Sequence, residues 1–367
     1  MVKVVLRSTV AAIALMAGFS HMAAAAPITS NWTPGNVGNW SGGAPADAVN
    51  WTHSQPPTPP STQTFPNNNV NDTYSVNISG GSGSVVNLNT NVTIDALNVS
   101  GGDTLNIDNA RNLAIVTGGN VTNNGAINVN SAGSVTGLNF LGSSTISGTG
   151  TITLGNAVNN RITQSSGGGI ITNSVGHTIR GAGSVLTNIG GMNNAGDIIA
   201  DQSNALILDP GADPFNNTGT LRAQDGAQLR LSAGTYNNAG GTIEADGPGS
   251  NVNLSSGVIT LNGGTLATTN GGEIRSGANT GAILDGVTIS AGSNVVQANS
   301  FDFRVQNGVT NNGTWSLNST GSQTFIQFLG SQTLDGTGEV VMGNHNQNTI
   351  FVGNNADILT LGASQTI

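Results

Sequence analysis

The chain writes one stretch of itself twice. Residues 121–162 align without a gap on residues 309–350, 188 positions later, and 22 of the 42 paired positions are identical. Between the copies a shorter unit recurs: NNAGDIIADQSNALIL from Asn193, NNTGTLRAQDGAQLRL from Asn216 and NNAGGTIEADGPGSNVNL from Asn237. A repeat of this size cannot bury its own apolar face and gains a core only from neighbouring copies, so the chain is restricted to a solenoid.

The apolar positions give the element type. Met192, Ile198, Ala200, Leu206 and Leu208 recur as Phe215, Leu221, Ala223, Leu229 and Leu231, then as Tyr236, Ile243, Ala245, Val252 and Leu254. Within each unit they come in pairs spaced by two, the strand period. Gly, Asn, Asp and Ser lie between the pairs and accept turn geometry. No helical stripe persists beyond the first residues. Stacking at about 4.8 Å per coil pairs each strand in parallel with its equivalents, and such connections are right-handed. The expectation is all-β: a right-handed parallel β-helix with coils of 21–23 residues, about 13 of them, on the order of 60 Å long. The doubled asparagines (Asn123-Asn124, Asn193-Asn194, Asn216-Asn217, Asn237-Asn238, Asn311-Asn312) should share one corner and bond as amide ladders.

Composition sets bounds. Only 7% of residues are charged and 54 are Gly, which would suit a disordered chain, but 36% are hydrophobic and regularly spaced. Cysteine is absent, which excludes disulfides, thiol catalysis and thiolate metal sites. Residues 1–25 read as a secretory signal: Lys3 and Arg7, an apolar run over 10–16, and an A-x-A site before Ala26. Secretion to the extracellular space or the cell-envelope surface follows. No segment is long and apolar enough to span a bilayer. Removing Lys3 and Arg7 leaves seven Arg against 18 acidic residues, a net charge of −11. Nucleic acid and anionic lipid are poor partners for such a chain, whereas cations, neutral extracellular glycans and surface proteins are compatible with it.

Residues 26–70 differ from the rest. Trp32, Trp40 and Trp51 sit in N-W-T and N-W-S contexts, followed by Pro56, Pro57, Pro59, Pro60 and Pro66. This segment reads as a cap and linker before a β-helix over 71–367, with glycan stacking on the three tryptophans as the sharper reading. At the other end, residues 358–367 match 170–179 and the repeat stops in mid-coil, as expected of a fragment of a longer protein.

The order Trp40-Ser41, Asn50-Trp51-Thr52, Pro66-Asn67-Asn68, Tyr74-x-Val76-x-Ile78, with the body pattern carried by residues 178–208 and its successors, resembles exported bacterial surface proteins of the PEP-CTERM-sorted kind. More loosely it is similar to the β-helical passengers of autotransporters and haemagglutinin-like adhesins. The resemblance covers nearly the whole mature chain and implies an envelope-associated structural protein. It brings no catalytic residues, and neither a sorting motif nor a translocator barrel is present in the sequence.

Candidate chemistry is sparse. Asp201, Asp225 and Asp246 follow the inward alanines of successive coils and would form a column of acids that calcium could bridge. The calcium repeat GGxGxDxUx itself is absent. Arg222 and Glu244 fall one coil apart as an outward cross-strand pair. His177 and His345 have no counterpart His in the duplicated register and read as solvated turn residues. Parallel β-helices also host polysaccharide lyases and hydrolases, but clustered acid–base groups are not evident here. The expected function is a non-enzymatic rigid rod with a matrix or adhesive role. The rivals are a glycan- or protein-binding adhesin and a polysaccharide-degrading enzyme.

Overall fold

A computed structural model describes residues 26–42, 50–58, 64–79, 83–255, 257–277 and 281–367. The segment read as a signal, 1–25, lies outside the described residues. Strands and turns make up the described chain, and no helix in it is long and apolar enough to cross a membrane.

Three ladders run along the molecule. The first starts at Ile28–Trp32, passes Tyr74–Ile78, Ala96–Val99 and Asn120–Asn123, and reaches Asn348–Val352. The second runs from Val37–Asn39 through Val85–Leu88 and Thr104–Ile107 to Leu359–Leu361. The third has twelve strands, from Val92–Ile94 to Glu339–Met342. From the second coil to the one that ends with Glu339–Met342, each coil contributes to all three ladders, with Gly281–Ile289 and Asp302–Asn311 each spanning the first two as one strand, so the solenoid is a three-walled prism. Pairing is parallel throughout except where Trp51–His53 lies antiparallel to Ile28–Trp32.

The apolar columns of the sequence are the observed registers. Met192 pairs with Phe215 and Phe215 with Tyr236. Ile198, Leu221 and Ile243 form a second column, and Leu206, Leu229 and Val252 a third. All nine side chains are buried. Burial of an aliphatic side chain of this size contributes about 1.5–3 kcal/mol, so each coil is held mainly by the row it hides from water.

Coil length varies more than 21–23 residues. The step from Val86 to Leu105 is 19 residues and that from Ile152 to Ile179 is 27. Turns absorb the difference, because strand register tolerates no slip without turning the apolar row outward. The first step, Ile28 to Tyr74, takes 46 residues. The segment expected to be a separate cap thus supplies the first strands of two ladders, and the solenoid begins at Ile28 instead of residue 71.

The long duplication carries a rotation. In the first copy, Asn120–Asn123, Ala126–Val129 and Thr136–Phe140 lie on ladders one, two and three. In the second copy, the end of Asp302–Asn311 lies on ladder two, Thr314–Asn318 on ladder three and Thr324–Phe328 on ladder one. The same sequence has moved on by one wall. Each wall asks for alternating apolar residues, and the asparagine that closes the first strand of the segment turns inward at either corner, so one sequence satisfies both placements. Asn123 and Asn311 are both fully buried at their different corners.

Candidate functional site

The three tryptophans do not lie on a surface. Trp32, Trp40 and Trp51 are 1%, 0% and 5% exposed. Their rings meet at centroid distances of 4.9 Å for Trp32–Trp51 and 4.9 Å for Trp40–Trp51. Each indole N–H donates to a backbone carbonyl: Trp32 to Asn36 at 3.1 Å, Trp40 to Pro66 at 2.9 Å and Trp51 to Trp40 at 2.9 Å. Their faces are covered by one another and by the first coil, and none is left for a sugar. The glycan-stacking expectation is therefore corrected: the cluster plugs the end of the prism, where an open core would otherwise meet water.

The column of acids is also divided. Asp201 forms an ion pair with Arg180, and its side chain is 1% exposed. Asp225 has φ +58° and takes a hydrogen bond from the Gln224 amide at 3.1 Å. Asp246 accepts from Thr269 Oγ1 at 2.7 Å and Asn270 Nδ2 at 2.8 Å, and these bonds hold its carboxyl below the usual carboxylate range. Asp225 and Asp246 border one open depression with Gln224 and Asn270, but Asp201 does not. No group of three or more His, Asp or Glu converges among the described residues. A calcium ion bridging all three aspartates does not fit this arrangement, because Arg180 already neutralises Asp201. The outward pair Arg222–Glu244 forms as expected, in register and at 2.8 Å.

The asparagines build two ladders of opposite polarity. On the outside of the first wall, Asn216 donates back to Asn193 at 2.8 Å, Asn237 to Asn216 at 2.7 Å and Asn262 to Asn237 at 2.8 Å. Inside the corner, Asn173 donates forward to Asn194 at 2.7 Å, Asn194 to Asn217 at 2.8 Å and Asn217 to Asn238 at 2.7 Å. The inner ladder begins at a histidine. Asn123 Nδ2 lies 3.2 Å from His177 Nε2, and His177 Nδ1 lies 2.8 Å from Asn173 Oδ1. Donation along the row is continuous when His177 is neutral and carries its proton on Nδ1. His177 is fully buried, and desolvation pulls its pKa down to about 4. This corrects the reading of His177 as a solvated turn residue. A signal was present in the sequence: its counterpart in the second copy is Gln365, another side chain that both donates and accepts, and Gln365 is buried too. His345 does sit in a turn, partly exposed, with Nδ1 accepting from the Gln347 backbone N–H at 3.2 Å.

The described chain thus presents long walls of mostly hydrogen-bonded amides and hydroxyls with isolated ion pairs, and shallow depressions between rungs. Such a surface can hold an extended partner over many weak contacts; it concentrates no acid–base pair at one point. Comparison of the chain with protein-family models, with curated proteins and with solved structures finds no match.

Proposed function

We propose that the chain is an exported surface protein, a rigid rod with a passive matrix or adhesive role, sorted to the envelope in the manner its resemblance implies. The observation that supports this most directly is the stacking of two ladders from the Ile28 end to the Leu361 end, joined by a third from Val92 to Met342. From Val92 to Met342 each coil is bonded to the next on three sides, so bending must break ladder hydrogen bonds and open the dry axis. A stiff, repeating surface favours multivalent binding, because one attachment places the following rungs at fixed distances from the same partner. Excess negative charge keeps neighbouring rods apart in solution.

Two measurements test the reading. Small-angle scattering of the chain lacking residues 1–25 should give a rod-like cross-section and a length on the order of 60 Å, set by about 4.8 Å per coil. Protease shaving of intact cells should release it from the outer surface. A compact sphere in solution, or retention inside the cell, would overturn the proposal. Steady cleavage of pectate or alginate by the purified chain would replace it with the enzymatic reading.

A further inference from the structure

We propose that the third wall carries a binding groove for an acidic polysaccharide, centred on Arg161. This goes beyond the rod reading, which assigns no ligand, and requires only that the wall be accessible. The groove has a volume of about 460 Å³ and lies across the strands Thr136–Phe140 and Asn160–Gln164. Its opening exists because Gly137 stands between Asn112 and Arg161 in one outward row. A Cβ on Gly137 would come 2.5 Å from the Arg161 carbonyl oxygen, so no larger residue fits there without moving the strand.

The chemistry of the lining is specific. Among the described residues Arg161 has no acidic partner, and its Nε is buried with no hydrogen-bond acceptor. A buried donor without a partner is destabilising, and a carboxylate is the acceptor that best matches a guanidinium fork. No Asp or Glu lines the groove. Asp213, beside it, already accepts from the backbone N–H groups of Gly168 and Gly190, each at 3.1 Å. Asn139 Oδ1 gathers the hydroxyls of Thr163 at 2.9 Å and Ser165 at 2.8 Å into a polar floor able to exchange hydrogen bonds with sugar hydroxyls. Val135 and Ile189, 55% and 43% exposed, flank it and can cover the C–H face of a pyranose ring.

The row continues towards the C-terminus. Arg161 is followed in register by Ser184, Ile207, Arg230, Asn253 and Arg275. At about 4.8 Å per rung the guanidinium groups recur after about 14 Å and again after about 10 Å. Arg230 shares the buried, unpartnered Nε of Arg161, although its guanidinium donates to Gln228 Oε1 at 2.8 Å, whereas Arg275 is already ion-paired with Glu273. A linear polyuronate laid along the axis would meet Arg161 and Arg230, neither of which has an acidic partner among the described residues. A peptide lacks the repeating hydroxyls that the floor is built to receive, and the strands here offer no free backbone edge.

Titration calorimetry of the chain lacking residues 1–25 with a galacturonate trimer and a decamer tests the inference. Saturable binding is expected, stronger for the decamer and absent for the carboxyl-reduced oligomers. Arg161→Gln should weaken trimer binding at least tenfold with an unchanged melting temperature, and Arg230→Gln should weaken the decamer alone. Equal binding of carboxyl-reduced oligomers, indifference to Arg161→Gln, or tighter binding of a polyglutamate peptide would each overturn it. Scattering on the same samples reports the rod independently, so loss of ligand binding with an intact rod rejects the groove and leaves the proposed function standing.

Discussion

At the residue scale, the buried amide row sets the terms for two predictions. His177 stays neutral inside the prism, with its pKa at about 4. In the unfolded chain the same ring titrates near about 6.5. Between these values the unfolded state binds a proton that the folded state refuses, so stability rises with pH there. The contribution is complete above pH 6.5 and is lost as pH falls towards 4, on the order of 3 kcal/mol in all at 1.36 kcal/mol per unit. Denaturant midpoints measured from pH 7.5 down to pH 4 should fall accordingly, and His177→Gln should flatten that slope. Further along the row, Asn217→Ala leaves the Asn194 amide and the Asn238 oxygen facing a void. A loss of about 1–3 kcal/mol is expected by the same measurement, because the Asn238 oxygen stays desolvated without this donor and Asn194 Nδ2 keeps only its bond to the Gly196 carbonyl at 3.0 Å. The polar corner was only half legible in the sequence. The doubled asparagines announced a ladder, but a lone histidine away from any apolar pair looks like a turn residue until its counterpart Gln365 is weighed. The tryptophans misled for the opposite reason: flanked by Asn, Ser and Thr, they looked like surface aromatics, and only the antiparallel return of Trp51–His53 folds them inward.

At the element scale, strand columns were readable and turns were not. A column such as Ile198, Leu221 and Ile243 is fixed by burial, and burial leaves a period in the sequence. Turn length is not constrained in this way, so coils of 19 and 27 residues stack as well as those of 23. The Arg161 groove was not legible for a related reason. It depends on a missing side chain at Gly137 beside an unpaired arginine two ladder positions from Asn112, and nothing in the linear sequence places those residues on one rung line. Backbone geometry gives the element-scale test. Gly181 closes the strand Thr178–Gly181 at φ +120°, and a Cβ there would lie 1.7 Å from the Leu154 carbonyl oxygen. Gly181→Ala should therefore break the pairing on both sides of that strand. Hydrogen exchange should show loss of protection at the coils around Leu154 and Ala200, with distant coils unchanged.

At the scale of the whole molecule, each coil touches only its neighbours, and stability is close to a sum over coils and interfaces. Deleting residues 215–235 joins Pro214 to Tyr236 and removes one full lap while keeping Met192 above Tyr236. This variant should fold, with a rod shorter by about 5 Å and a slightly smaller denaturant m-value. Deleting about half as many residues from the same point should abolish cooperative unfolding, since every later strand would fall at a corner instead of on a wall. The displaced second copy adds a refinement to this rule. The same motif serves the prism after a turn of one side, so an in-frame duplication in the gene need not span a whole circuit to be tolerated. A third of a circuit, ending at any corner, suffices, and lineages of such proteins can grow or shrink in steps of a single strand and its turn.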